Sequence, residues 1–184
     1  MTIKVVDEVH ESLVEEAWTL YYEAFKELNR YAVQRHLMYR DEFDEVMRNT
    51  QVQKYLCQDG DTLTGLATFT NDLRAWPLLS PEYFQRRWPE LFAERRIWWC
   101  GFVAIHPTAQ HQGGFGEMVE AMYLEADKVG GIIGIDMCRF NDQVRRLSRV
   151  IPLVLRRLAG EVRTERMDEQ SYWMYEFSRA GVPT

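Results

Sequence analysis

Cysteine is scarce in this sequence, and no metal-ligand pattern is present. Only three cysteines occur among the 184 residues: Cys57, Cys100 and Cys138. Because their number is odd and their spacing is wide, they indicate neither a disulfide framework nor a metal site. Each lies among apolar residues that are typical of strands, where a buried free thiol is the ordinary state. We therefore predict a protein without bound metal that works in a reducing compartment.

The sequence also lacks a long apolar run and a surplus of positive charge. No run approaches the roughly 20 apolar residues that a membrane-spanning helix needs. The start of the chain, MTIKVVDEVHE, has neither the basic residues nor the apolar stretch of a signal peptide. The net charge is −6, whereas nucleic-acid binding requires lysine and arginine clustered on one face. These features predict a cytoplasmic protein that binds neither membrane nor nucleic acid and that slightly favours amine-bearing partners.

The pattern of apolar residues predicts one domain that alternates strands and helices. No repeat, low-complexity tract or linker divides the chain, so we predict a single domain over residues 1–184. The turn at Asp59 and Gly60 joins two of the strands in a hairpin. The predicted strands are 3–6, 52–57, 62–70, 97–105, 131–137, 161–166 and 171–177.

Apolar residues that recur every three or four positions predict the helices. These cover 13–28, a short stretch from Asp41, 82–87, 115–128 and 144–158. We predict that Asp41 is the N-cap of the second helix and that Pro152 breaks or kinks the last one. The order of elements predicts an α/β fold of the α+β type, a central mixed sheet of about six or seven strands with helices on both faces.

The segment from Phe102 to Gly116 is the most informative part of the sequence. An apolar strand ends there, and a loop with Pro107 and several glycines leads into a helix. The first N–H groups of a helix are unpaired and carry partial positive charge, and glycine lets a large anion approach the backbone. The segment therefore predicts a cradle for phosphate or pyrophosphate, with an ordinary Gly-rich turn as the alternative. The residues of a Walker loop and of a dinucleotide fingerprint are absent.

This segment resembles the acyl-CoA-binding motif of the GNAT superfamily of N-acyltransferases. In that motif a strand ending in Val-x-Pro is followed by Gln/Arg-x-x-Gly-x-Gly/Ala. The run Ile105-His106-Pro107 matches the first part, and the run from Gln110 to Phe115 matches the second except for its last residue. A shift by one residue restores both glycines but places His111 at the Gln/Arg position. The order of elements agrees over nearly the whole chain, which implies a GNAT-like fold.

The resemblance implies that acetyl-CoA or another acyl-CoA is the donor and that a small-molecule amine attacks it directly. The backbone of Val103 and Ile105 would bind the pantetheine arm, and a strand N–H would stabilise the oxyanion. Asn141 would contact the cofactor, although it could equally be the N-cap of the next helix. The pyrophosphate would be held by Gln110, His111, Gln112, Gly113, Gly114, Phe115 and Gly116.

The catalytic acid and base are less clear from the sequence. Family members often have a tyrosine seven residues after this asparagine as general acid, and here that position is Ser148. A non-catalytic module that binds CoA therefore stays an alternative. The candidate bases are His106, which titrates near neutrality, and Asp136, whose pKa burial would raise. His111 and Glu94 are further candidates, and a histidine in a loop that faces water is the ordinary alternative.

An aromatic insert at 73–92 more loosely resembles the insert of acyl-homoserine-lactone and N-acyl amino acid synthases. The runs that correspond are Arg74-Ala75-Trp76-Pro77 and Trp88-Pro89-Glu90-Leu91. The resemblance implies a pocket wall for a bulky acyl chain or acceptor, and a packed lid is the alternative. The wall residues would be Trp76, Tyr83, Phe84 and Trp88. A transferase of longer acyl chains, fed by acyl-CoA or acyl carrier protein, is thus the rival function.

Two further segments bear on partners. Five arginines between 145 and 157 are interpreted as a solvated helix face, with CoA phosphates or an acidic carrier protein as alternative partners. The aromatic run from Tyr172 to Tyr175 could pair with a second copy of the chain, which predicts a homodimer.

Overall fold

Within residues 1–77, 79–110 and 112–177, which the computed structural model describes, five strands form one mixed sheet. Their order across the sheet is their order along the chain. Neighbouring strands are antiparallel from β1 to β4, and β5 lies parallel to β4. The strands are β1 (Thr2–Val6), β2 (Gln53–Asp59), β3 (Thr62–Thr70), β4 (Ile97–Ile105) and β5 (Ile132–Ile135). The predicted mixed sheet is confirmed, with fewer strands than predicted.

Six α-helices surround this sheet in the described residues. They are α1 (Glu11–Phe25), α2 (Arg40–Arg48), α3 (Pro81–Arg87), α4 (Pro89–Ala93), α5 (Gly114–Asp127) and α6 (Leu147–Ala159). Short 3-10 turns occur at Leu28–Arg30, Leu73–Ala75 and Pro107–Ala109, and a π-helical turn at Phe140–Val144. None of the helices in the described part of the chain combines the length and apolar character that crossing a bilayer requires.

The central strand β4 contributes to two separate cores because its side chains alternate between the faces of the sheet. Trp99, Phe102 and Ala104 pack in the core that α1, α2 and α3 cover. Trp98 and Cys100 pack in the core that α5 covers. We refer to these two sides of the sheet as the α1 face and the α5 face.

A β-bulge at Gly101 interrupts the pairing of β4 with β3. Cys100 pairs with Phe69 and Phe102 pairs with Thr68, so Gly101 has no partner in this ladder. The N–H of Phe102 instead donates a hydrogen bond to the buried Oγ1 of Thr68 at 3.2 Å. A Cβ atom at residue 101 would overlap the indole of Trp76, so the contact between strand and insert requires glycine. Because bulges bend a strand and interrupt its regular pairing, we infer that β4 changes direction at Gly101.

β4 separates from β5 at the same point. The parallel pairs run from Ile97 with Ile132 to Cys100 with Ile135, and β4 then continues alone to Ile105 on that side. Backbone N–H and C=O groups need hydrogen-bond partners, so an unpaired strand edge beside a diverging neighbour is a place where an extended ligand can bind.

One predicted detail of the helices, the N-cap of α2, is wrong. The N-cap of α2 is Tyr39 rather than Asp41, because the Glu42 carboxylate accepts the N–H of Tyr39 at 2.7 Å and so sets the start of the helix. Pro152 does not break α6, which continues through it. Proline leaves the carbonyl of Ser148 without its helical partner, and this carbonyl belongs to an exposed residue that water can reach.

The two final strands predicted at 161–166 and 171–177 are also wrong, since the structure has no regular element there. β-propensity describes side chains that suit a pleated, half-buried surface, and it does not supply a partner strand. Side-chain contacts hold residues 161–177 instead, and we call this segment the tail. Its contacts are Tyr83 Oη to Met167 O (3.3 Å), Tyr172 Oη to Gln34 Oε1 (3.0 Å), Arg166 to Asp142 (2.8 Å) and Arg87 to Glu165.

Because of the bulge, we predict that the stability of the protein is unusually sensitive to substitution of Gly101. Gly101→Ala should lower the free energy of unfolding by about 1–3 kcal/mol, because its methyl group collides with Trp76 in a packed core. Gly116→Ala is the matched control, since a Cβ there meets nothing within 4 Å and alanine favours a helix. Urea denaturation measures both. A Gly101→Ala variant as stable as the control would contradict the packing described for Trp76.

Candidate active site

The carboxyl ends of two parallel strands, β4 and β5, meet at one edge of the sheet. The turn 107–109 and the start of α5 follow β4, and the π-helical turn Phe140–Val144 follows β5. Ligands of α/β proteins commonly bind at such an edge. The predicted anion-binding loop and Asn141 therefore belong to the same region of the molecule.

The loop after β4 ends in an open helix N-terminus. Gly113 precedes α5 with a φ of 88°, which favours glycine, and helix α5 begins at Gly114. The first N–H groups of α5 have no carbonyl of their own helix to bind. Gln110 and Gln112 are exposed beside this N-terminus, and Val103 and Ile105 lie on the unpaired stretch of β4. His111, also predicted here, lies outside the described residues.

The three glycines of the loop have different surroundings. Cβ atoms at Gly113 and Gly116 would meet nothing within 4 Å, so both residues border open space. A Cβ at Gly114 would lie 3.1 Å from Sγ of Cys57, so this glycine lets α5 pack closely on the sheet. Phe115 is half-buried and packs against the core of the α5 face. A side chain at Gly116, rather than at Gly114, is the one that would stand in the way of an anion.

Asn141 carries an unsatisfied buried acceptor. Its Oδ1 atom has no hydrogen-bond partner among the described residues. Asn141 is not the N-cap of α6, because that position belongs to Arg146. Buried polar atoms are nearly always paired, and π-helical turns occur often at functional sites, so Oδ1 is a candidate ligand contact.

Three of the predicted catalytic residues lie away from the bulge. His106 follows β4, hydrogen-bonds Thr108 Oγ1 through Nδ1 at 2.8 Å, and borders a groove of about 350 Å³ between α1 and the β2–β3 hairpin. Glu94 precedes β4 and forms an ion pair with Arg96 at 2.7 Å. Ser148 is exposed in the first turn of α6.

Asp136 lies close to the bulge. It directly follows β5, whose last residue Ile135 pairs with Cys100. The residue is exposed at the surface, and desolvation by the surrounding protein raises the pKa of its carboxyl group. The charge of Asp136 also adds to the burial that raises the pKa of the Cys100 thiol to about 12.

The structure places His36 near enough to Asp136 for their charges to interact, which the sequence did not reveal. Burial lowers the pKa of His36, and the negative charge of Asp136 opposes this shift. The positive charge of His36 in turn lowers the pKa of Asp136 against the larger effect of desolvation. The two residues are 100 positions apart, and His36 lies in an irregular segment without periodicity. No local pattern could have revealed the pair.

The segment that carries His36 is tied down near the bulge. Tyr21 Oη donates to the carbonyl of His36 at 3.1 Å and accepts the N–H of Met38 at 2.9 Å. The ring of Tyr31 stacks on that of Phe140, with 4.4 Å between centroids and 10° between planes. The segment thus spans from α1 to the π-helical turn that contains Asn141.

The predicted wall of aromatic residues has one member at the bulge. Trp76 is buried and its indole lies directly against Gly101. Phe84 is buried in the core against Trp99, and Trp88 packs on Phe84. Tyr83 is half-buried and bonds to the tail. The geometry thus favours a packing role for Phe84 and Trp88. Trp76 is the member that lies at the bulge and can act as a pocket wall.

No protein-family model matches the sequence, and no curated protein matches it. Solved structures, in contrast, share its fold. An aminoglycoside acetyltransferase from an uncultured soil metagenomic sample, in complex with sisomicin, has a TM-score of 0.53 at 10% identity, covering 95% of this chain and 97% of that chain. The ribosomal-protein-alanine N-acetyltransferase of Brucella melitensis biovar Abortus 2308 has a TM-score of 0.53 at 12% identity, covering 95% and 99%.

A third similar structure is that of AAC(6')-Iy in complex with the bisubstrate analog CoA-S-monomethyl-acetylneamine. Its TM-score is 0.53 at 10% identity, covering 95% of this chain and 100% of that chain. The similarity to these N-acetyltransferases extends over nearly the whole chain, and at such identities it establishes the fold. The chain therefore has the fold of the GNAT superfamily, as the sequence predicted.

Proposed function

We propose that this protein is an N-acyltransferase that moves an acetyl or other short acyl group from acyl-CoA to a small-molecule amine. The observation that carries the proposal is that β4 bulges against β3 at Gly101 and has no pairing with β5 beyond Cys100. An unpaired strand edge runs from this bulge to the helix N-terminus of α5. An extended ligand with a reactive group at one end and phosphates at the other matches this arrangement.

The residues along this edge fit CoA. The open space at Gly113 and Gly116 and the first N–H groups of α5 suit a pyrophosphate group. The unpaired Oδ1 of Asn141 suits a donor group of the ligand. The backbone of Val103 and Ile105 is proposed to bind the pantetheine arm, and Gln110, His111 and Gln112 are proposed to bind the phosphates. Bound acyl-CoA supplies a thioester whose carbonyl carbon is the point of attack.

The chain's own groups at the bulge then assist the transfer. Peptide N–H groups of β4 near Gly101 can stabilise the negative charge that develops on the acyl oxygen. Trp76 and Phe102 exclude water from this position on the α1 face. The amine approaches from the α1 face of the sheet. The segment that carries His36 and the tail present polar groups on that face. CoA in the complex of AAC(6')-Iy and an aminoglycoside in that of the soil enzyme support donor and acceptor classes of this kind.

The alternatives differ in donor and in turnover. A longer acyl chain is disfavoured, because the Trp76 indole occupies the space over Gly101. A CoA-binding module without catalysis is favoured only by Ser148, whose exposed hydroxyl stands where the family often has tyrosine. Acyl carrier protein stays a rival donor. Its acidic surface could meet the arginines at 145, 146, 149, 156 and 157, which are all exposed on or beside α6.

The homodimer and the cytoplasmic location stay predictions.

Thermal unfolding tests the donor site. Acetyl-CoA at about 100 times its Kd should raise Tm by about 5–10 °C, because a ligand of the native state stabilises a chain of this size by mass action. Gly116→Val should weaken acetyl-CoA binding at least about tenfold with little change in the Tm of the free protein. Gly114→Val should instead lower that Tm, because its side chain meets Cys57. Normal binding by Gly116→Val would show that the cradle is misplaced.

Donor preference tests the role of Trp76. Trp76→Leu should raise the ratio of kcat/KM for butyryl-CoA over acetyl-CoA about tenfold, because removing the indole opens room for added methylene groups. Phe43→Leu is the matched control: it also shortens a buried aromatic residue of the same core, but away from the bulge. It should lose stability and keep the wild-type ratio. An unchanged ratio in Trp76→Leu would reduce Trp76 to a packing residue.

A further inference from the structure

Hydrogen bonds fix the backbone of His36 on both sides. Its N–H donates to Oδ1 of Asn29 at 3.1 Å, and its carbonyl accepts the hydroxyl of Tyr21 at 3.1 Å. Tyr21 is itself almost completely buried, with 1% of its surface exposed. The position of His36 is therefore set by the core rather than by a free loop.

The same tyrosine places His36 beside the bulge. The ring centroids of Tyr21 and Phe102 are 4.8 Å apart, and Phe102 directly follows Gly101. One residue, Tyr21, thus packs on the bulge with its ring and holds His36 with its hydroxyl. His36 lies on the α1 face, near the point where β4 bulges and its pairing with β5 ends.

Asp136 reaches the same place from β5. A Cβ at Gly134 would lie 2.7 Å from the ring of Trp99, a residue of the α1 face. Side chains alternate along a strand, so Asp136, two residues later, is directed to this face as well. Because Ile135 pairs with Cys100, Asp136 follows at the level of Gly101.

Among the titratable groups around His36, Asp136 is the one whose charge acts on its ring. On α1, Tyr21 is neutral at pH 7, since burial raises its pKa to about 12. Arg35 and Glu42, next to it, form an ion pair with each other at 2.7 Å. Burial lowers the pKa of His36, so its ring is mostly neutral near pH 7 and able to accept a proton.

We propose that His36 accepts the proton of the attacking amine and that the nearby charge of Asp136 stabilises the imidazolium that forms. This inference rests on the proposed function. The C–N bond forms, the C–S bond breaks, and the proton leaves nitrogen for the imidazole of His36. The thiolate leaves with the electron pair and takes a proton from solvent, to which His36 returns its own. His106, about 16 Å along the strand from Gly101 at 3.3 Å per residue, is too distant for this step.

Enzyme assays with acetyl-CoA and a panel of primary amines that includes sisomicin test the role of His36. His36→Gln should lower kcat about 100-fold or more at unchanged KM for acetyl-CoA, a usual contribution of a general base. The acidic limb of the kcat/KM profile, which should lie below the ordinary pKa of histidine, should disappear. Asp136→Asn should shift that limb to lower pH, because the charge that raises the His36 pKa is gone. His10→Asn, at the exposed N-cap of α1, is the matched control and should keep the wild-type profile.

Histidine ring NMR provides a readout that needs no acceptor. Acetyl-CoA should shift the ring signals of His36 and leave those of His10 in place, and Asp136→Asn should lower the pKa of His36. If acetyl-CoA raises Tm normally but His36→Gln keeps its rate and pH profile, or its ring ignores acetyl-CoA, this inference alone fails. If acetyl-CoA neither raises Tm nor is turned over by the wild-type protein, the proposed function fails and this inference with it.

Discussion

The contact between Trp76 and Gly101 is the constraint on which the rest of the site depends. The indole lies where a side chain at residue 101 would have to be, so β4 carries a glycine there and bulges. Once the bulge shifts the register, Phe102 donates its N–H to the side-chain hydroxyl of Thr68 on β3 instead of to a backbone carbonyl. The ladder to β5 ends one residue earlier, and the unpaired edge begins. A single packing contact thereby converts a regular strand into a binding edge.

The alternation of side chains along β4 then separates two tasks. On the α5 face, Gly114 lets the helix approach Cys57 closely, which directs the N-terminus of α5 toward the end of the strand. On the α1 face, Tyr21 packs against Phe102 and carries the His36 segment. The proposed anion site and the proposed proton acceptor therefore lie on opposite sides of one strand. Each can be altered by mutation without disturbing the packing of the other.

The sequence predicted those parts of the fold and site that depend on local pattern. The strand 97–105 and the helix after the glycine loop agree with β4 and α5, because burial on both faces and helical periodicity leave a clear signal. The glycine motif located the loop but not the surroundings of each glycine, which depend on packing against β2. The bulge was not foreseen, because it requires a contact between residues 76 and 101. The tail was predicted as strands from side-chain type alone, although strands also need partners.

The proposed amine site has to reconcile the binding of a cation with the reaction of a neutral amine. The chain carries a net charge of −6, and Asp136 places a carboxylate at the bulge, so both favour the protonated form of an amine. Attack on a carbonyl carbon, however, requires the lone pair that protonation occupies. A proton acceptor beside the carboxylate resolves this conflict, since the charge that draws the cation also stabilises the imidazolium after transfer. Burial lowers the pKa of His36 and so favours its neutral form before the amine arrives, while the charge of Asp136 opposes this shift.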